Sequence, residues 1–486
     1  MIKKRKTAEV SAPSADRLNA GKIPIAVREI CLLLHNTGYE AWLVGGAVRD
    51  IILGKSGIDN WDIATNALPA KLQQLFPKSV PTGIQHGTIT VFHGGCPVEI
   101  TTYRADEPYV DGRHPSAVRF GVTLQEDLSR RDFTINALAY EPLTDRLEDP
   151  FGGIADMESG LVRTVGNPLE RFREDGLRPM RACRFVAQLG YTLEEETEQA
   201  IPQSLDVFAM VAAERIGDEM DKIMLAPKPS PGLEAMRITG LLQIVLPELL
   251  ACFSVMQNRF HAYDIYMHSV MSCDHAPREK LAVRWAALLH DLGKVPTRRE
   301  LPNGEATFYD HQLASARIAR TILTRLKQPT EIIAKAMHLI REHMFAYSSE
   351  WTDAAVRRFM RKVGMENLAD LFDLRLADWF GNGTHRGFPQ YLNVLLKRIH
   401  KEEEKAAALK VTDLAIGGIE VMEALGIPPS PPIGKCLNWL LDRVLDDPGV
   451  NNREMLLVMV REWDGIGRPE APTEDTLPSA DPDDKE

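Results

Sequence analysis

Apolar residues recur every three to four positions through "PIAVREICLLLHN", residues 24–36, which predicts an amphipathic helix. The short run "EAWLV" that follows predicts a strand entering a Gly-Gly turn and a further helix. "TITVF" and "VEITTYR" alternate and are β-branched, so they read as strands. Together these predict an α/β head of roughly 120 residues. From about Asn167 onward strand signals vanish and helix-period patterns take over, as in "RFREDGLRPMRACRFVAQLGY" and "AAERIGDEMDKIMLA". A histidine-rich segment from His261 to Trp379 precedes a charged helix, "LLKRIHKEEEKAAALK", and a last helical block. The expected boundaries are a disordered basic arm at 1–22, the head at 23–150, a helical region at 151–250, a histidine-rich helical region at 251–400, a C-terminal helical region at 401–466 and a disordered acidic tail at 467–486.

Composition narrows the class. The 486 residues are 44% hydrophobic and 26% charged, enough for several compact units. The longest apolar stretches carry charges and fall short of the roughly 20 residues that a membrane span needs, so no membrane association is expected. Six cysteines without CxxC pairing fit a reducing compartment, and the cytoplasm is the expected location. The formal charge is −11, but the tail from Gly467 to Glu486 holds seven acids against two bases and carries −5 of it. The folded body is thus only mildly acidic, and basic runs such as "RFREDGLRPMRACRF" and "VRRFMRK" are candidate stripes for a nucleic-acid backbone or ordinary solvated helix faces.

Candidate chemistry begins at Gly45 and Gly46, where the absence of side chains lets backbone amides approach a triphosphate at a helix N-terminus. Asp62 in "GIDNWDIATN" and Glu99 in "VEITTYR" are carboxylates on neighbouring elements that can share one or two Mg²⁺ ions. The position two before Asp62, which would reach the same strand face, is Asn60; Asp59, three before, would aim at the opposite face unless a bulge turns it. In "RRDFTINALAY", Arg131 and Asp132 stand before an expected apolar helix and can hold a ribose or phosphate, or simply cap it. In "REDGLRPMR", Asp175 and Arg178 at i and i+3 are expected on one helix face, offering an acceptor and a forked donor to one planar base. Cytosine and adenine both present an exocyclic amine beside a ring-nitrogen acceptor, so such a pair selects C and A. A surface salt bridge fits the same spacing. Pro179 is compatible with this helix if it falls in the first turn.

In order and spacing, "LVGGAVRD", "DIAT", "VEITTYR", "RRDFTINALAY", "DPFGG" and "EDGLRPMR" resemble the class II tRNA nucleotidyltransferases (CCA-adding enzymes) and bacterial poly(A) polymerases over about residues 24 to 250. The resemblance implies an α/β nucleotidyltransferase head, DNA polymerase beta-like, followed by an all-α neck, body and HD-type helical domain. It implies template-independent addition of C, C and A to the tRNA 3′ end from CTP and ATP. Asp62 and Glu99 become ligands of catalytic Mg²⁺; Gly45, Gly46, Arg49, Arg131, Asp132, Asn136 and Arg181 become nucleotide contacts; Asp175 and Arg178, steadied by Glu174, become the base reader. "RADEPYVDGRHP" resembles the flexible segment that CC-only enzymes lack, with Arg104, Asp106, Tyr109, Asp111 and Arg113 in place, which disfavours CC-only addition. A-only addition and poly(A) synthesis stay open, as does a head degenerated at Asn60 into an RNA-holding module.

The second centre has the residue types and order of an HD-type metal phosphohydrolase: His268, the pair His290-Asp291 in "LLHDLGK", and Asp378 in "LRLADWFGNG". His311 and His343 are candidate ligands for a second ion. By resemblance to HD domains fused to some bacterial CCA-adding enzymes, it would hydrolyse phosphomonoesters or 2′,3′-cyclic phosphates at RNA ends with a divalent metal whose identity the residues leave open.

Overall fold

A computed structural model describes residues 13–83, 87–106, 117–257, 262–302, 305–405 and 410–465. The chain divides into two units, one up to residue 250 and one from residue 251. Among the described residues no helix is long and apolar enough to cross a membrane.

The first unit is built on a seven-stranded mixed sheet. Helix α1 (Ile25–Asn36) leads to β1 (Trp42–Val44), α2 (Gly46–Ile52), β2 (Trp61–Thr65), α3 (Pro69–Leu75), β3 (Val80–Gly83), β4 (Thr88–His93) and β5 (Cys96–Thr102). β6 (Arg104–Asp106) and β7 (Val118–Phe120) form a separate ribbon before α4 (Leu124–Ser129). β8 (Ala139–Glu141) and β9 (Arg146–Glu148) return to the sheet, whose order is β3-β4-β5-β2-β1-β8-β9. The parallel pair β2 and β5 places Asp62 directly beside Glu99, and the antiparallel pair β1 and β2 places Asp62 beside Val44, one residue from Gly45. Side chains paired across neighbouring strands share a face, so the two carboxylates and the glycine turn meet at one end of the sheet.

Two expectations need correction. "RRDFTINALAY" does not open an apolar helix: one 3₁₀ turn, Thr134–Asn136, is followed by β8. Residues 132–140 are all buried, and β8 lies inside the sheet between β1 and β9, so its apolar run is that of an interior strand. Nor do Asp175 and Arg178 share a helix. α5 (Gly153–Ser159) is followed by α6 (Pro168–Glu174) and α7 (Arg178–Leu189), with Asp175 extended between the last two. Pro179 does fall in the first turn of α7. For that very reason the helix cannot run back through Asp175, whose carbonyl the proline ring would meet four residues on. Gly176 completes the break, because a Cβ there would lie 2.7 Å from the Val207 carbonyl oxygen.

The second unit is helical, with helices Ile265–His275, Leu281–Leu289, His311–Arg325, Thr330–Glu342 and Met365–Gly381 in mutual contact. After Asn167 the described strands are two-residue pieces, Thr192–Leu193, Arg299–Glu300 and Ala306–Thr307. The last helical block has its own core, including Leu440, Val444, Leu456, Val460 and Trp463. The cations of "VRRFMRK" are engaged within the unit: Arg357 is buried against Glu402, Arg358 pairs with Asp446, Arg361 with Asp442 and Lys362 with Glu342. These pairs tie helix Asp353–Val363 to its neighbours.

Candidate functional sites

A cleft of about 450 Å³ in the first unit is lined by Gly45, Gly46, Arg49, Asp62, Arg130, Arg131, Asp132, Asn136, Asp175, Leu177, Arg178, Arg181, Arg184, Phe185 and Arg215. Gly45 adopts φ +73°, a conformation that L side chains rarely take, and caps α2. A Cβ there would stand 3.3 Å from the Arg131 guanidinium and 3.5 Å from the Asp62 carboxylate. Glycine therefore keeps open the space between a cation and an acid. Burial raises the Asp62 pKa; Arg131 opposes this and Glu99 adds to it. Two facing carboxylates of this kind fit a divalent cation.

Behind the acids a relay of hydrogen bonds fixes the donors. Arg49 Nη1 donates to Asn136 Oδ1 at 2.6 Å, Asn136 Nδ2 donates to Asp132 Oδ1 at 3.0 Å, and Arg181 donates to Asp132 Oδ2 from Nε at 2.9 Å and Nη2 at 2.5 Å. Against burial, which alone would raise it, Arg181 and Asn136 hold the Asp132 carboxyl well below the usual range. Buried Asp127 holds Arg130 at 2.8 Å and Arg131 at 3.4 Å. Phe185 forms the apolar floor, with the guanidinium carbons of Arg184 and Arg49 at 4.0 and 5.1 Å from its ring centre.

The two expected base-reading groups reach the cleft from separate helix ends. Arg178 pairs with Glu174 and donates to the Arg171 carbonyl at 2.9 Å and the Arg130 carbonyl at 3.2 Å. Asp175 accepts from the Leu177 amide at 3.1 Å and from Arg215 Nη2 at 3.0 and 3.1 Å. Each is held by its own partners, and the two face one cavity without a shared helix face.

Of the other expected residues, Glu99 is exposed beside Asp62 and outside the cleft lining. Asn60 and Asp59 are exposed, precede β2 and do not line the cleft. Arg104 and Asp106 form β6, whereas Tyr109, Asp111 and Arg113 lie outside the described residues. Sequence reasoning missed Arg130, Leu177, Arg184, Phe185 and Arg215. Arg184 and Phe185 lie three and four residues after Arg181, a helical spacing that pointed to them. Arg215 arrives from helix Ala213–Met224, and nothing in its local sequence announces it.

In the second unit all six candidate ligands converge. His268 Nε2 lies 3.2 Å from His290 Nε2, from Asp291 Oδ2 and from Asp378 Oδ1. His311 Nε2 is 3.3 Å from Asp291 Oδ1, and the His343 ring centre is 5.0 Å from that of His290. His290, Asp291 and His343 form one group with ligand atoms within 4.8 Å of one another, and His268, His290 and Asp378 form another. Backbone carbonyls fix the rings through Nδ1: Ala287 for His290 at 2.9 Å, Phe308 for His311 at 2.9 Å and Ile340 for His343 at 2.6 Å. This leaves each Nε2 for a metal, the orientation that metal-bound imidazoles take. Burial lowers the His343 pKa, and His290 and His311 lower it further, so the ring stays neutral. Although burial opposes it, Asp291 and Asp378 raise His290 to about 10. The donor set of imidazoles and carboxylates fits a divalent transition metal. Lys294, three residues after Asp291 and missed in the sequence, reaches Asp291 Oδ2 at 2.9 Å.

Comparison with known proteins agrees with this division. Residues 41–163 match the Poly A polymerase head domain, residues 190–253 the probable RNA- and SrmB-binding site of polymerase A, and residues 260–383 the HD domain. Proteins with such head and HD domains generally use divalent metals. A CCA-adding enzyme of a Geobacillus species is 48% identical over 431 residues, covering 88% of this chain and 94% of its own. That of Lactiplantibacillus plantarum is 34% identical over 440 residues, covering 90% and 95%. The crystal structure of the Bacillus stearothermophilus CCA-adding enzyme in complex with CTP superposes with a TM-score of 0.69 at 29% identity, covering 90% of this chain and 96% of that one. With a nucleotidyltransferase head, a helical continuation and an HD domain all present, the chain belongs to the CCA-adding enzyme family.

Proposed function

We propose that this chain adds C, C and A in turn to the 3′ end of tRNA, using CTP and ATP and no nucleic-acid template. The observation that carries the reading is the cleft itself, which brings the glycine turn, Asp62 and the Asp175/Arg178 pair into one cavity. Asp62 and Glu99 would hold Mg²⁺, which lowers the pKa of an attacking 3′-hydroxyl and neutralises the leaving pyrophosphate. Gly45 and Gly46 admit the triphosphate to the start of α2, while Arg49, Arg131, Asp132, Asn136 and Arg181 hold its sugar and phosphates. Asp175 and Arg178, fastened by Arg215 and Glu174, read the base edge. The CTP complex of the Bacillus stearothermophilus relative supports a pyrimidine triphosphate as one substrate.

The HD centre would hydrolyse phosphomonoesters or 2′,3′-cyclic phosphates on RNA ends, with His268, His290, Asp291 and Asp378 holding one divalent ion and His311 and His343 serving a second. Head, neck and HD domain are assigned to residues 23–150, 151–250 and 251–400, and the reaction to the cytoplasm, where six free cysteines persist. Incubation with each labelled nucleoside triphosphate on tRNA lacking CCA, CC or A tests the product. Incorporation of two C and one A in that order is expected. Repeated A addition, or A addition alone, would replace the reading with a poly(A) polymerase or an A-adding enzyme.

A further inference from the structure

Trp379 directly follows Asp378 of the histidine centre, and its indole lies parallel to the imidazole of His385, with ring centres 3.6 Å apart and planes 10° from parallel. Tyr391 meets the same indole edge-on at 6.3 Å. The Tyr391 hydroxyl accepts from Arg375 Nε at 3.1 Å, and Arg375 Nη1 donates to Asp378 Oδ2 at 2.8 Å. An unbroken series of contacts thus links the stacked pair to a carboxylate of the cluster. The indole N–H donates to the Gly387 carbonyl at 3.0 Å, which fixes the ring plane. Glycines shape the segment that carries His385: Gly383 adopts φ +83°, and a Cβ there would overlap the Tyr263 ring at 2.4 Å. His385 and Arg386 are both exposed.

An aromatic pair stacked at the protein surface, plane fixed and followed in the chain by an exposed arginine, has the features that hold a nucleobase and its flanking phosphate. We propose that Trp379 and His385 form a base-stacking platform that holds the terminal base of the nucleotide or RNA end whose phosphate the HD centre removes. The proposal rests on the hydrolase reading above and adds the residues that recognise the base.

The test uses the full chain and two readouts. In EDTA, 3′-AMP is expected to quench tryptophan fluorescence saturably, ribose 5-phosphate is not, and His385→Ala is expected to weaken 3′-AMP binding roughly tenfold, the size of one base stack. His385 is exposed, so this variant keeps the fold, which circular dichroism checks; Trp379→Leu is the second variant. With divalent metal, the ratio of kcat/KM for 3′-AMP to that for glycerol 2-phosphate is expected to fall roughly tenfold in both variants. Unchanged binding, or hydrolysis at an unchanged ratio, overturns the platform and leaves the hydrolase reading intact. A wild-type protein that binds 3′-AMP but hydrolyses neither ester under any metal overturns the hydrolase reading and the substrate assignment with it.

Discussion

The cleft of the first unit and the cluster of the second both gather charged side chains, but with opposite balance. Seven arginines and three aspartates line the cleft. The cluster joins four histidines and two aspartates, nearly all of them buried, with one lysine at its edge. Guanidiniums keep their charge at every accessible pH and offer planar forks, so the cleft suits phosphates and base edges. Imidazoles and carboxylates offer electron pairs to an ion once the rings give up their protons, so the cluster suits cations. The difference teaches that one chain separates the two tasks by donor chemistry.

The strongest way to break this comparison is to exchange their losses. Asp62→Ala is expected to lower nucleotide incorporation by about a thousandfold or more, roughly 4 kcal/mol of barrier, while metal-dependent phosphate hydrolysis persists. Asp291→Ala is expected to do the reverse. Single-turnover incorporation and phosphate release on both folded variants measure it, and joint loss in either one would show that the centres are not independent.

A smaller effect sharpens the cleft's role as a reader. Arg178→Ala is expected to cut discrimination for C and A over U and G by roughly ten- to a hundredfold, since a mismatched buried polar contact is worth ~1–3 kcal/mol. Equal slowing with all four nucleotides would make Arg178 a scaffold residue. Next comes Asn60, which stands where a second same-face carboxylate is expected. Asn60→Asp is expected to raise CTP incorporation about tenfold, one decade being ~1.4 kcal/mol. Asp59→Ala is expected to change little, because Asp59 is exposed, lies outside β2 and does not line the cleft.

The smallest effect is on stability. The folded pKa of Asp132 is depressed, so its contribution is fully present above the unfolded value of about 3.9 and is lost as pH falls through the folded value. Below about pH 4 the wild type is therefore expected to lose stability more steeply than Asp132→Asn. Urea midpoints between pH 5 and 2.5 compare the two, and identical slopes would remove Asp132 from the acid response.

What was legible in the sequence follows the same division. The HD ligands could be read because they lie in short motifs on helices or just past their ends, and all six side chains converge. The glycine turn and Asp62 could be read because neighbouring strands turn local spacing into shared faces. The break before α7 was misread, although Pro179 signalled it, because an i, i+3 spacing says nothing about whether the helix continues. Arg215 was invisible, because its part in the site comes from tertiary approach, 40 residues from Asp175. Asp127 was overlooked although it stands three and four residues before Arg130 and Arg131, a local helical spacing. The buried run before β8 is ambiguous in sequence, since a continuous apolar stretch fits a helix or an interior segment of a sheet.

The cleft's arginines are not bare. Arg130 and Arg131 lean on Asp127, Arg178 on Glu174, Arg181 on Asp132, Arg184 on Glu219 and Arg215 on Asp175. An arriving polyanion therefore meets cations already partly neutralised by carboxylates, so it displaces fewer salt ions than seven free cations would suggest. Binding should weaken only gently as ionic strength rises, and a finished product should leave without a large electrostatic debt to repay.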